Sequence, residues 1–189
     1  MTGLKTILLN AGIFQIGWFC CVLAGANHLP WLGTAAALLI VYRHVRSAHD
    51  SRKELLLILS VAGIGAVWDS LLVYAGWLQY PSGTLINGTA PHWIIAMWAL
   101  FATTLNVSLR WLKQRPLPGA LLGAIAGPAA YFAGYKLGGV QFPDFSTALL
   151  ALGLGWAVLM PLLMSVSNRF DGRAVQPGPA AIAGWNSHV

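Results

Sequence analysis

Residues 55–79 read LLLILSVAGIGAVWDSLLVYAGWLQ, and the only carboxyl group in this run is Asp69. About 20 apolar residues carry a helix across the hydrocarbon core of a bilayer, so the run is long enough to span. A carboxylate at a span's centre costs about 2.5–3.5 kcal/mol, and each aliphatic side chain returns about 0.3–0.6. Eleven Leu, Ile and Val residues between Leu55 and Val73 offset that cost. Insertion is therefore expected, but it does not explain why an acid stands there. Ionisable groups inside membrane spans face protein or water and have a partner or a task.

The remainder of the chain has the same character. Of its 189 residues, 57% are hydrophobic and only 8% charged, against about a quarter charged in soluble domains. An integral membrane protein is expected. The net charge of +6 resembles a nucleic-acid signal until the charges are located. They lie in short connections between apolar runs, which membrane topology explains and nucleic-acid binding does not.

Six runs approach spanning length: Thr6 to Ala26, Leu29 to Val45, Leu55 to Gln79, His92 to Leu112, Leu117 to Val140 and Phe145 to Ser167. The first is too long for a signal-peptide core and reads as a retained span. With six spans, Lys5, Arg43, Arg46, Arg52, Lys53, Arg110, Lys113, Arg115, Arg169 and Arg173 fall on one side, and Lys136 alone on the other. Basic loops stay cytoplasmic. The expected fold is all-α and polytopic, with six transmembrane helices and both termini cytoplasmic. One domain over 1–168 is expected, followed by a short disordered cytoplasmic tail over 169–189, rich in Pro, Gly and small residues.

Helical spacing shows where polar groups point. His92, Ala96, Ala99, Thr103, Asn106 and Arg110 form one small and polar stripe on the fourth span. Ala62, Gly65, Asp69 and Gly76 share a face of the third. Gly119, Gly123 and Gly127 give the fifth a close-packing face, and Pro128 is expected to kink it. Counting depth along each span puts Asp69, Thr103 and Tyr131 in one layer. The candidate intramembrane polar site is therefore Asp69, Thr103, Tyr131, Asn106, His92 and Arg110. The alternative is a structural hydrogen bond between spans. Arg110 also suits a helix C-terminus near anionic headgroups. Residues 80–91 are uncharged and turn-rich, and serve either as a connector or as a lid.

Several chemistries lack their signature. Cys20 and Cys21 are adjacent and apolar in context, with no paired-cysteine motif. His28 and His92 lack the spacing of a metal site. No cofactor, metal or nucleic acid is expected. The partners expected are the lipid bilayer, a lipid or isoprenoid ligand, and a second copy in a homodimer.

Phe14-Gln15, Gly17-Trp18-Phe19, Trp68-Asp69-Ser70-Leu71-Leu72, Trp98 to Leu105, Ser108 to Leu112, and Gly127-Pro128 with Tyr131, Gly134 and Gly138 resemble a bacterial family, domain of unknown function 2878. The resemblance runs from about Asn10 to Ser167. It implies a multi-pass bacterial inner-membrane protein and a link to lipid metabolism, with no active site to carry over. Three functions are in play: a binding or accessory protein, a lipid- or isoprenoid-modifying enzyme using Asp69 as acid, and a small proton-coupled transporter.

Overall fold

The α3 helix that carries Asp69 starts and stops on clear local signals. Asp50 caps it by accepting from the Arg52 and Lys53 amides at 3.1 and 3.0 Å, satisfying donors that a helix start leaves free. At its other end Gly76 takes φ +73°. The Trp77 and Gly76 amides then reach back to Leu72 and Val73, both at 3.0 Å, closing the helix by the glycine-dependent motif. In the computed structural model, which describes residues 3–174, α3 spans Ser51–Tyr74.

The other helices are α1 (Leu4–Ala26), α2 (Pro30–Arg46), α4 (His92–Leu105), α5 (Pro116–Lys136) and α6 (Phe145–Arg169), with a 3-10 turn at Arg110–Leu112. Among the described residues there is no strand, only an isolated bridge that pairs Gln79 with Gln141. Helices α1, α3, α5 and α6 are long and apolar enough to cross a membrane. The described residues are thus all-helical, with the marks of a multi-pass membrane protein. Leu8, Leu39, Leu59, Ile125 and Leu154 are exposed, whereas Glu54, Asp69 and Asn106 have no exposure at all. Apolar outside with acids inside is the arrangement lipid demands, because lipid cannot hydrogen-bond a polar group.

The fourth expected span is corrected. The sequence pattern extends the helix to Leu112, but α4 ends at Leu105. Thr103 and Thr104 hydroxyls donate to the Leu100 and Phe101 carbonyls at 2.7 Å, and the buried Asn106 side chain is drawn into contacts outside its helix. Turns follow, so Arg110 leaves the stripe that carries Ala99 and Thr103.

Helices pair in sequence order: α1 on α2, α3 on α4, and α5 on α6, with α4 packed also on α1 and α2. Indole rings resting on glycines set these approaches. A Cβ on Gly65 would lie 2.0 Å from Trp98, one on Gly155 2.0 Å from Trp68, and one on Gly127 2.3 Å from Trp156. Of the three spaced glycines of α5, Gly123 and Gly127 meet α6, while Gly119 faces open space. α5 continues through Pro128, and Ala124, whose carbonyl the proline leaves without its helical donor, faces Gly153 of α6.

The chain past α6 turns back onto the bundle. The Asp50 amide donates to the Gly172 carbonyl at 3.0 Å, and Arg173 donates to the His44 carbonyl at 2.7 Å. The tail expected over 169–189 overlaps this docked segment as far as 174. Residues 175–189 lie outside the described residues.

Candidate functional site

Asp69 lies where four parts of the chain converge. Its Oδ1 accepts from the Tyr80 hydroxyl at 2.6 Å and from Tyr131 at 2.9 Å. Its Oδ2 accepts from the Trp98 indole at 2.6 Å and from the same Tyr131 hydroxyl at 3.0 Å. The donors come from the loop after α3, from α4 and from α5. Both oxygens thus accept hydrogen bonds, which is the condition for a tolerated buried carboxyl. Trp98 also stacks on Trp156, with centroids 4.9 Å apart and planes 8° apart.

Depth explains which expected partners meet. Asp69 is five residues from the end of α3 and Tyr131 five from the end of α5, each about 8 Å at 1.5 Å per residue. Trp98, six residues into α4, lies at about 9 Å on the same rise. Thr103 lies eleven residues in, about 16 Å, one layer too deep. The expected Asp69–Thr103–Tyr131 layer therefore holds for Asp69 and Tyr131 and not for Thr103, because α3 ends at Tyr74 rather than near Gln79. The main-chain oxygen of Thr103 instead accepts from Asn10 of α1 at 3.2 Å.

Asn106 and Arg110 belong to a second cluster, at the opposite end of α3. Glu54, fully buried, meets His44 Nε2 at 2.6 Å and the Asn106 amide at 3.0 Å. The Asn106 oxygen accepts from Lys113 at 2.7 Å and from the Ser167 hydroxyl at 2.9 Å. Lys113 and Arg110 both donate to Asp171, Lys113 at 2.8 Å. Burial pulls Lys113 below the usual lysine range, with the neighbouring Asp171 opposing that shift. These bonds fasten α2, α3, α6 and the turn after α4 to one another. His92 stands apart from both clusters: its Nδ1 lies 2.7 Å from the Thr34 hydroxyl and its ring stacks on Trp31. Among the described residues no three His, Cys, Asp or Glu side chains group as metal ligands do.

The residues 80–91 fold down over the bundle end. Ser82 donates to the Gly25 carbonyl at 2.6 Å, the Trp93 indole donates to the Ser82 carbonyl at 3.0 Å, and the Ala90 amide donates to Ser70 at 3.0 Å. The Gln79–Gln141 pair ties its start to the α5–α6 connection, at 2.8 and 3.0 Å. The segment is held to α1, α3 and the α5–α6 connection, and it delivers Tyr80 to Asp69.

An apolar cleft of about 520 Å³ opens beside this carboxyl. One wall is α1 from Ile7 to Val22 and the other is α5 from Leu122 to Gly134. Met97, Trp98 and Phe101 of α4 form the floor, with Trp156 and Met160 of α6. It exists because α5 packs on α6 while α1 packs on α2 and α4. Ile7 and Val22 are fifteen residue steps apart, about 22 Å of helix, most of the thickness of a hydrocarbon core. Tyr80 and Tyr131 line the cleft and Asp69 does not. The volume is that of an ordinary small-molecule site.

Residues 7–162 match the family described as Protein of unknown function (DUF2878). The chain belongs to that family. The match takes in both clusters except Ser167, Phe170 and Asp171, and it covers every residue that lines the cleft. No curated protein and no solved structure matches this DUF2878 chain, so its site rests on its own geometry. Sequence reasoning missed Tyr80 and Trp98 as partners of Asp69, and missed Glu54, His44, Lys113 and Asp171 entirely as a cluster. Glu54 directly precedes the apolar run, and that position is the available signal.

Proposed function

We propose that this protein is a six-span bacterial inner-membrane protein that binds the apolar chain of a lipid or isoprenoid, as a binding or accessory component of membrane-lipid metabolism. The cleft between α1 and α5 carries the proposal: it is long, apolar and flanked by helices of membrane-spanning length. Such a groove in a bilayer fills with a chain-like apolar molecule, since water there would find almost no polar partner. Asp69 acts on this reading as a tether. It holds Tyr80, Trp98 and Tyr131 in place, so that the back of the cleft keeps its shape.

Catalysis with Asp69 as acid has less support, because the carboxyl is spent on three donors and does not line the cleft. The proposed threading puts both termini in the cytoplasm and all six helices in the membrane. Its support is the grouping of ten basic residues at one end, together with the bonds that join the α2, α3 and α6 ends there.

Filling the cleft tests the proposal. Ala126 and Ala130 line it and are exposed, so Ala126→Phe with Ala130→Phe adds bulk without touching the α5–α6 contact. Native mass spectrometry of the protein from mild detergent should show a retained lipid on the wild type and none on the double variant. Equal retention rules the cleft out as the binding place. A C-terminal tag labelled from outside intact cells rules out the threading.

A further inference from the structure

The cleft has a second recess, and that recess is polar at two points. Its lining includes Phe14, Gln15 and Trp18 of α1, and Ala130, Phe132 and Lys136 of α5. Phe14, Trp18 and Ala130 also line the main cleft, so the two spaces adjoin. Lys136 ends α5, and it is the one basic residue that six-span threading leaves on that side.

A lysine at a span's end ordinarily extends its ammonium outward to water and headgroups. Here the Lys136 Nζ lies 5.3 Å from the centroid of the Phe132 ring and 5.8 Å from that of Tyr135. Phe132 is one helical turn deeper, so the ammonium is folded back along the recess. Among the described residues Lys136 forms no ion pair. The nearest acid in sequence, Asp144, spends its oxygens on the Thr147 amide and hydroxyl. Gln15 is the complementary oddity. It sits near the middle of α1, exposed toward the recess, and its amide has no hydrogen-bond partner among the described residues. A polar group at mid-span without a protein partner is costly in lipid.

We propose that the cleft takes an anionic phospholipid, entering from the leaflet on the Lys136 side. This rests on the apolar-chain function proposed above. Lys136 pairs with the phosphate in a charge-assisted contact. Gln15, deeper in the recess, donates its amide to an ester carbonyl, and one acyl chain follows the main cleft past Phe101 toward Ile7. Phosphate, carbonyl and chain then meet, in that order of depth, an ammonium, an amide donor and an apolar groove. A zwitterionic lipid offers the same chain but brings a cation toward Lys136.

Native mass spectrometry of the full chain equilibrated with equal amounts of phosphatidylglycerol and phosphatidylcholine reads the preference. The wild type should carry phosphatidylglycerol over phosphatidylcholine by about fivefold or more. Lys136→Gln should bring the ratio close to one, Lys136→Arg should keep it, and Lys5→Gln should leave it unchanged. Gln15→Leu should weaken both lipids alike. Lys136 is exposed, and unchanged melting of the Gln variant confirms that its fold is intact. A wild type without preference, or a preference that survives Lys136→Gln, overturns the headgroup assignment while leaving chain binding in place. Binding of neither lipid contradicts chain binding itself, and the headgroup assignment falls with it.

Discussion

The Tyr131 hydroxyl on α5 donates to the Asp69 carboxyl on α3 at 2.9 Å, bridging two helices that pack mainly on other partners. α5 leans on α6, and α3 on α4, so this bond is a lateral tie between two hairpins. Trp98 and Tyr80 complete it from the remaining sides. One carboxyl thereby sets the spacing of the α5 wall against the α4 floor, and so the width of the cleft.

Removing that carboxyl should therefore cost stability before anything else. Asp69→Ala leaves the Tyr80, Trp98 and Tyr131 donors buried and unpaired, at about 1–3 kcal/mol for each. Asp69→Asn keeps one accepting oxygen and loses the bond from Trp98. Thermal melting of detergent-solubilised protein should rank wild type above Asn above Ala, with Ala also lowest in abundance. An Ala variant that melts with the wild type contradicts the tether.

Tyr131→Phe deletes one hydroxyl and preserves the ring. The expected loss is small, about 1 kcal/mol, the usual net value of one hydrogen bond. Gly127→Leu on the same helix should be far worse, because even a Cβ there would lie 2.3 Å from the Trp156 ring. Side by side, the two melting shifts separate a lost bond from a lost helix contact.

The cluster at the other end of α3 should behave as a buried charge network. Breaking one partner of such a pair costs about 3–5 kcal/mol. Glu54→Ala should therefore destabilise strongly, while Glu54→Gln, which still accepts from one neighbour, should cost less. Denaturation followed by tryptophan fluorescence checks the order.

Lys113 gives a pH signature. Burial holds its folded form below the usual lysine value, so the unfolded chain binds its proton more tightly. Where the unfolded state binds more protons, stability rises with pH. The penalty on charged Lys113 is thus present below the folded pKa and is relieved as pH climbs toward the unfolded value near 10.4. Comparing wild type with Lys113→Met cancels the other alkaline titrations. The wild type should gain stability relative to the variant as pH rises toward about 10.4; parallel melting curves across that rise would show that Lys113 is not held down.

The fold was largely legible from apolar runs, because lipid makes a span's length and composition conspicuous. The Asp69–Tyr131 contact was legible too, from shared depth and helical faces. Thr103 was misplaced because depth was counted from Gln79, and the turn at Gly76 moves the end of α3 five residues earlier. Tyr80 could not be found from helical faces, since it reaches Asp69 by the path of a loop. The break after Leu105 hid for a related reason: the polar stripe through Asn106 and Arg110 is regular in sequence, while tertiary partners of Asn106 end the helix. Glu54 reaches Asn106 because α3 packs on α4, and only the docking of the segment past α6 brings Asp171 to Lys113 and Arg110, a path that helical faces do not show.

The claim that matters most is that a lipid chain lies in the cleft, and site mapping with a photoreactive lipid tests it directly. A phosphatidylglycerol carrying a diazirine in its acyl chain would be incorporated in nanodiscs with the protein, irradiated, and the adducts located by peptide sequencing. Adducts at Met97 or Phe101 are predicted, since this α4 floor is reached from the bilayer by way of the cleft. Adducts confined to outward-facing positions such as Leu8, Leu39 and Leu154 would contradict the account.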